Sequence, residues 1–263
     1  MPEGMVIDQR ATMGSNVTQI AVQNNGMQPQ EACQLAINLF MENFPKLQQI
    51  AADTARERVE EFCKTTIEKL QHANVQDYSA FSDPDVQYVL FDAQKHYARF
   101  GTKEMLGTLT DLVANRVANN DDFVLKVTID KAVSVASMLT PQQLDFLSLL
   151  FLCTKVKYTH IQTLEQLETH LKELCSIFTV NIAQVNISYL NMLGCLQIEL
   201  PDPVKVFARE YNLPKEEVDR ICPEEIKSLA KDYGVSSVGT MLAITNAEQK
   251  TSFLLDPHIW IHE

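Results

Sequence analysis

The residues able to do chemistry are few, and their spacing suits it poorly. Asp92 and His96 stand four apart in a stretch of helical period, where a carboxylate can orient an imidazole as a base. The same spacing makes an ordinary surface pair, which is the reading taken. His258 and His262 flank Trp260 near the C-terminal end. On a helix they would suit a metal ion, but the alternation after Pro257 predicts a strand, which sets the two imidazoles roughly 13 Å apart, too far for one ion. His160, His170 and Cys175 match no zinc spacing. Asp83-Pro84-Asp85 reads as the start of a helix rather than a pair of ligands, and Glu60-Glu61 as a solvated helix face. The chain has no G-x-G-x-x-G, no Walker loop, no H-E-x-x-H and no G-x-S-x-G. No cofactor or metal is expected, and an enzyme would have to assemble its site from residues the sequence does not advertise.

Charge narrows the partners. The 263 residues carry a formal net charge of −12 and a pI near 5.0, so the average field repels phosphate backbones and anionic lipid. No run of Lys or Arg opposes that average, and nucleic acid is an unfavoured partner. The apolar run Phe146 to Cys153 is far short of the roughly 20 residues a membrane helix needs, so no membrane partner is expected. Six cysteines show no C-x-x-C pair, and no signal peptide is read at the N-terminus. Free, buried thiols in a cytoplasmic protein are expected.

Only 8 glycines among many Ala, Leu, Gln and Glu favour a mostly α fold. Its organising element is Thr140 to Lys157, in which Thr140 caps the first turn, Pro141 takes the first helical position, and the run that follows is apolar on every side except Ser148. That pattern predicts a core helix. Before it, residues 83–139 read as three amphipathic helices joined by short turns, a helical bundle. After it come a capping box at Thr163 to Gln166, a helix from Asn181 to Gly194, a strand from Cys195 to Leu200, short Pro-limited helices, a helix from Ser237 to Lys250 and the strand at the C-terminal end. Three helices followed by two short strands suggest a winged-helix-like α+β module. Its reading helix, however, would offer Asn181, Gln184, Asn186, Ser188 and Asn191 and no cation to clamp phosphate.

The N-terminal region differs from both. Residues 1–29 form a β-prone arm in which Ile20 and Val22 share a face with Thr18, and Val17 lies on the other. A strand without a partner is unstable in water, so the arm is expected to be disordered or to pair, the same arm of a second subunit being the economical partner. A helix follows, interrupted or kinked at Pro45, and then Ala51, Ala55, Val59 and Phe62 continue a narrow apolar stripe among many charges, the pattern of a coiled-coil seam.

The segments DPDVQYVLFDAQKHYARFG, TLTDLVANRV and LTPQQLDFLSLLFLCTK together resemble an uncharacterised bacterial family known only by locus names. The resemblance implies a Gly/Ser/Asn-rich arm, matched by Gly14 to Ile20, a long charged helix, and a short aromatic closing strand, matched by Ile259 to Ile261. It brings no activity, catalytic residue or cofactor. It implies a bacterial or phage-borne origin, and the arm is similar to those of some proteins of prokaryotic antiviral conflict systems.

The expected organisation is therefore an arm over 1–29, a long helix plus bundle over 30–139, and a helical module with two short strands over 140–263. The expected function is that of a non-enzymatic, homo-oligomeric scaffold or adaptor, assembling through Val17, Ile20 and Val22 of the arm and Ala51, Ala55, Val59 and Phe62 of the long helix, with an unidentified protein as a further partner. An enzyme with an unadvertised site and a winged-helix-like nucleic-acid regulator are the alternatives.

Overall fold

The computed structural model describes residues 29–261 apart from 74, 76, 77, 120, 200, 201, 230 and 231. Val17, Ile20 and Val22, and with them the arm, lie outside the described residues. In chain order the helices are α1 (Pro29–His72), α2 (Pro84–Phe100), α3 (Lys103–Ala118), α4 (Phe123–Ala136), α5 (Pro141–Thr154), α6 (Leu164–Ile177) and α7 (Ile187–Met192). Strand β1 (Leu196–Ile198) precedes α8 (Pro203–Glu210), α9 (Lys215–Ile221) and α10 (Glu224–Lys227), and β2 (Tyr233–Val235) precedes α11 (Ser237–Lys250) and α12 (His258–Ile261). The chain divides between Asp53 and Thr54, and every element from α2 onward belongs to the second unit. The mostly α class read from composition is the observed one.

The starts of the helices follow local chemistry. Asp83, Thr102, Asp122, Thr140 and Thr163 each accept a hydrogen bond from a first-turn backbone N–H, and Thr140 and Thr163 complete capping boxes with Gln143 and Gln166. Asp83-Pro84-Asp85 is thus a cap, as expected. At the other end of α2, Gly101 adopts the left-handed conformation (φ 62°), and Arg58 of α1 donates from Nη1 to the carbonyls of Ala98 (2.8 Å) and Arg99 (3.2 Å), satisfying groups that the helix itself leaves open.

The core is built on α5, whose residues Gln143 to Cys153 are all buried. Its main partner is α11, buried from Gly239 to Ala247, which also packs on α3, α4 and α12. The expected boundary at residues 139 and 140 therefore runs through a shared core: α3 and α4 on one side of it and α5 on the other are all covered by the same helix.

Of the two readings of Pro45, interruption is excluded, because it lies inside a single helix, α1; the carbonyl it deprives of a partner belongs to exposed Met41, where water can serve instead. Two further expectations are corrected. The segment Asn181 to Gly194 divides into a short 3₁₀ turn (Ile182–Gln184) and α7, because Asn181 and Asn186 each cap a turn of their own. The segment after Pro257 is helix α12, not a strand: the Asp256 side chain accepts from the His258 N–H (3.0 Å) and the Pro257 carbonyl from those of Trp260 and Ile261. Five alternating residues were too few to outweigh an Asp-Pro helix start. The partner of β1 is instead β2, paired antiparallel with Leu196 opposite Val235 and Ile198 opposite Tyr233. Three helices separate the two strands, so the pair is not the consecutive hairpin of a winged helix.

Two positions admit direct tests. Arg116 is buried in α3, donating from Nε to Asp130 of α4 (2.9 Å) and from Nη2 to Asp85 of α2 (2.8 Å), while Lys126 also reaches Asp85 (2.6 Å). The hydrogen bond from Lys126 holds Asp85 below the ordinary carboxylate value, whereas burial pushes Asp130 up despite Arg116. Arg116→Leu strands that half-buried carboxylate and is expected to cost about 3–5 kcal/mol in urea denaturation. Gly239 faces the Cys195 carbonyl so closely that a Cβ would run into its oxygen. Gly239→Ala is expected to cost about 1–3 kcal/mol, and an unchanged midpoint would refute this packing.

Candidate functional site

The apolar stripe of α1 changes character along the helix. Within the second unit it belongs to the core: Phe62 is fully buried with its ring 6.1 Å from that of Tyr97, Thr66 and Leu70 follow it inward, and Ala55 and Val59 are half-buried. The Tyr97 hydroxyl donates to Glu61 (2.5 Å), and burial, aided by that carboxylate, raises its pKa to about 12. Before Thr54, among the described side chains, Ile37, Met41 and Ala51 are exposed. Of the expected assembly residues on this helix, Ala51 presents itself to solvent, Ala55 and Val59 do so in part, and Phe62 serves the chain's own interior. The seam reading missed this because 3.5-residue spacing looks alike whichever chain covers it.

The polar clusters bear on the enzyme reading. Asp92 and His96 are a half-buried pair (Oδ2 to Nε2 3.5 Å), and Ser137, unremarkable in the sequence, brings its hydroxyl to 2.8 Å from His96 Nδ1. The line Asp92, His96, Ser137 has the residue types of a hydrolase triad. Lys95, however, occupies the Asp92 carboxylate (2.5 Å), and Ser137 follows the last turn of α4, where helix carbonyls rather than N–H donors gather. An oxyanion would meet the wrong end of a dipole there. A groove of about 730 Å³ between the α5 C-terminus and α8 carries Lys155, Lys157, Lys205 and Arg209. Its cations lie against carboxylates: Lys155 on Glu199 (3.0 Å), Lys157 on Glu210 (3.5 Å), Lys205 on Asp202 (3.0 Å) and Arg209 on Glu210 (3.0 Å). Such a surface neutralises itself and offers little field to a phosphate chain.

The thiols are equally quiet. Burial raises Cys175 to about 11 and Cys195 and Cys222 to about 12, and pushes the Cys153 thiol well above its ordinary value, so none of the four is a thiolate at neutral pH. Cys33 and Cys63, by contrast, are exposed on α1, which corrects the expectation that the cysteines are buried. Among the described residues no three or more His, Cys, Asp or Glu side chains gather as a metal site would require, and no helix is long and apolar enough to cross a membrane.

A model of an uncharacterised family, one named by locus, matches residues 26–232. The chain belongs to this family. The match takes in α1 through α10 and stops short of β2, α11 and α12, so in this member the helix that closes the core lies beyond the matched span. A comparison with curated proteins finds no match, and neither does one with solved structures.

The most perturbed imidazole has a measurable consequence. His170 of α6 is buried with Nε2 unpartnered, its ring 4.0 Å from that of Tyr158 and 5.4 Å from that of His160. Burial, reinforced by His160, lowers its pKa from 6.5 to about 4. The unfolded chain thus takes up a proton near pH 6.5 that the folded chain refuses until about pH 4. The folded state is unpenalised above pH 6.5 and loses roughly 3 kcal/mol as pH falls to 4. His170→Leu is expected to remove that loss, so the stability difference between wild type and variant should shift toward the variant across this window. A pH-independent difference would place the imidazole in water.

Proposed function

We propose that the protein works by binding protein, as a homo-oligomeric scaffold or adaptor in which the N-terminal arm and α1 join copies of the chain. The observation that carries this reading is the exposure of apolar side chains on the first part of α1. Phe62, Thr66 and Leu70 are buried in the chain's own core, whereas Ile37, Met41 and Ala51 lie exposed on the same helix. An amphipathic helix leaves its apolar face in water at a cost of about 25 cal/mol per Å², and a second copy of the same helix removes that cost. The arm supports the reading on separate grounds, since a β-prone segment gains its backbone hydrogen bonds by pairing with its own kind. Only the composition of the arm connects the protein with prokaryotic antiviral systems, so the proposal stops at protein binding.

The test is the absolute mass in solution, by light scattering behind a sizing column. Removing residues 1–28, or introducing Met41→Lys with Ala51→Lys, is expected to lower the mass of the full chain at least twofold without changing its helical circular dichroism. A full chain that is monomeric at every concentration would overturn the reading.

A further inference from the structure

One imidazole joins the C-terminal helix to the turn between α3 and α4. His258 opens α12 with 42% of its side chain exposed, and its two ring nitrogens lie against two different acceptors: Nδ1 is 3.2 Å from Asp122 Oδ2, and Nε2 is 3.0 Å from Asn119 Oδ1. A second hydrogen bond fixes which atom of each partner meets the ring. Asn119 donates from Nδ2 to the Asn115 carbonyl (2.9 Å), so turning its amide over would set two oxygens against each other, and Oδ1 is the atom left for His258. Asp122 accepts the Leu125 N–H at Oδ1 (3.0 Å) as the cap of α4, and Oδ2 faces Nδ1.

The proton count of the ring follows from this geometry. A neutral imidazole has one N–H and one lone pair, so in either tautomer one nitrogen would turn a lone pair toward an oxygen. Only the imidazolium donates to both. Losing a proton therefore makes one of the two contacts repulsive and removes the charge that Asp122 pairs with. The charged groups around the ring act in the same direction. Asp121 precedes Asp122 in the turn, and Asp256 accepts the backbone N–H of His258 itself (3.0 Å). From α11, Glu248 accepts the Leu255 N–H (2.9 Å), its carboxyl pushed up by burial. The cations on the adjoining helices are engaged elsewhere: Lys126 and Arg116 on Asp85, Arg116 also on Asp130, and Lys250 on Asp145.

The element held this way has little to hold itself. Helix α12 is four residues long, too short to be stable alone, and it stays in place through its side chains. Ile261 is buried, Trp260 donates from Nε1 to the Lys155 carbonyl at the end of α5, and His258 grips the α3–α4 turn. Lys155 also lines the groove of about 730 Å³. We infer that His258 is a proton-operated clamp. With the ring charged, α12 is fastened to the α3–α4 turn; with the ring neutral, the C-terminal turn opens more readily beside that groove. The clamp is independent of the oligomeric reading.

Hydrogen exchange of the full chain, followed by mass spectrometry on the peptide that contains 254–261 and corrected for the intrinsic effect of pH, tests it. Protection there is expected to fall about threefold between pH 6 and pH 8, the size of one solvent-exposed charged contact. Docking and protonation favour each other, so protection is present at the lower pH and lost as pH rises. His170 acts in the opposite sense, penalising the folded state as pH falls, and cannot imitate this result. His258→Gln should show the same weak protection at both pH values. Asp122→Asn keeps a capping side chain for α4, and its amide can donate to a neutral ring, so it too should lose the pH dependence. Wild-type protection that is constant from pH 6 to pH 8, or that falls as much in both variants, overturns the clamp.

Discussion

The rest of the fold depends on how α11 satisfies its polar side chains after being enclosed on all sides. The amide of Asn246 spends both its hydrogens on α5, donating to the Asp145 carboxylate (3.1 Å) and to the Ser148 hydroxyl (2.8 Å). Ser148 in turn donates toward the Ala243 carbonyl across the interface (3.1 Å), and Lys250 closes the set on Asp145 (2.5 Å). A buried amide without these partners would cost more than a well-made hydrogen bond returns, so α5 and α11 fit in one register and one rotation. The helices that lean on α11, namely α3, α4 and α12, inherit that register. Arg116 plays the corresponding part at the other side of the bundle, where a buried guanidinium fixes α3 between α2 and α4.

Much of this was legible because it is local. Caps at Asp83, Thr140 and Thr163, the glycine ending α2 and the all-round apolar run of α5 are set by neighbours in the sequence, and each stands where its residue types place it. What was hidden lies in long-range pairing. Nothing near Asn246 foretells Asp145, 101 residues away, and Thr240, Thr245 and Asn246 make α11 look like a surface helix until their partners are seen. Ser137 joins His96 from 41 residues away on another helix. The strand pair failed for the same reason: β1 was visible by its alternation, but the choice of Tyr233–Val235 as its partner depends on the Ser236 N–H reaching the Cys195 carbonyl (3.1 Å) and on Gly239 allowing that carbonyl to come close.

The interaction reading and the chemistry of the interior are consistent. Polar groups that could react are drawn into fixing helices against one another: Asp145 and Lys250 hold α5 to α11, His96 and Ser137 hold α2 to α4, and Arg58 closes the end of α2.

Trp260 is the single tryptophan of the chain, and its place in α12 gives it an optical role. Its indole stands edge-on to Phe151 (centroids 5.0 Å apart) and donates from Nε1 to the Lys155 carbonyl (3.3 Å) at the end of α5. Intrinsic fluorescence excited at the indole band therefore watches one event, the docking of the C-terminal turn on the central helix, while circular dichroism averages over every helix. Emission and ellipticity that change together on denaturation would mark α12 as part of the cooperative unit. Emission that shifts first would mark it as a latch that opens while the body of the protein is still folded.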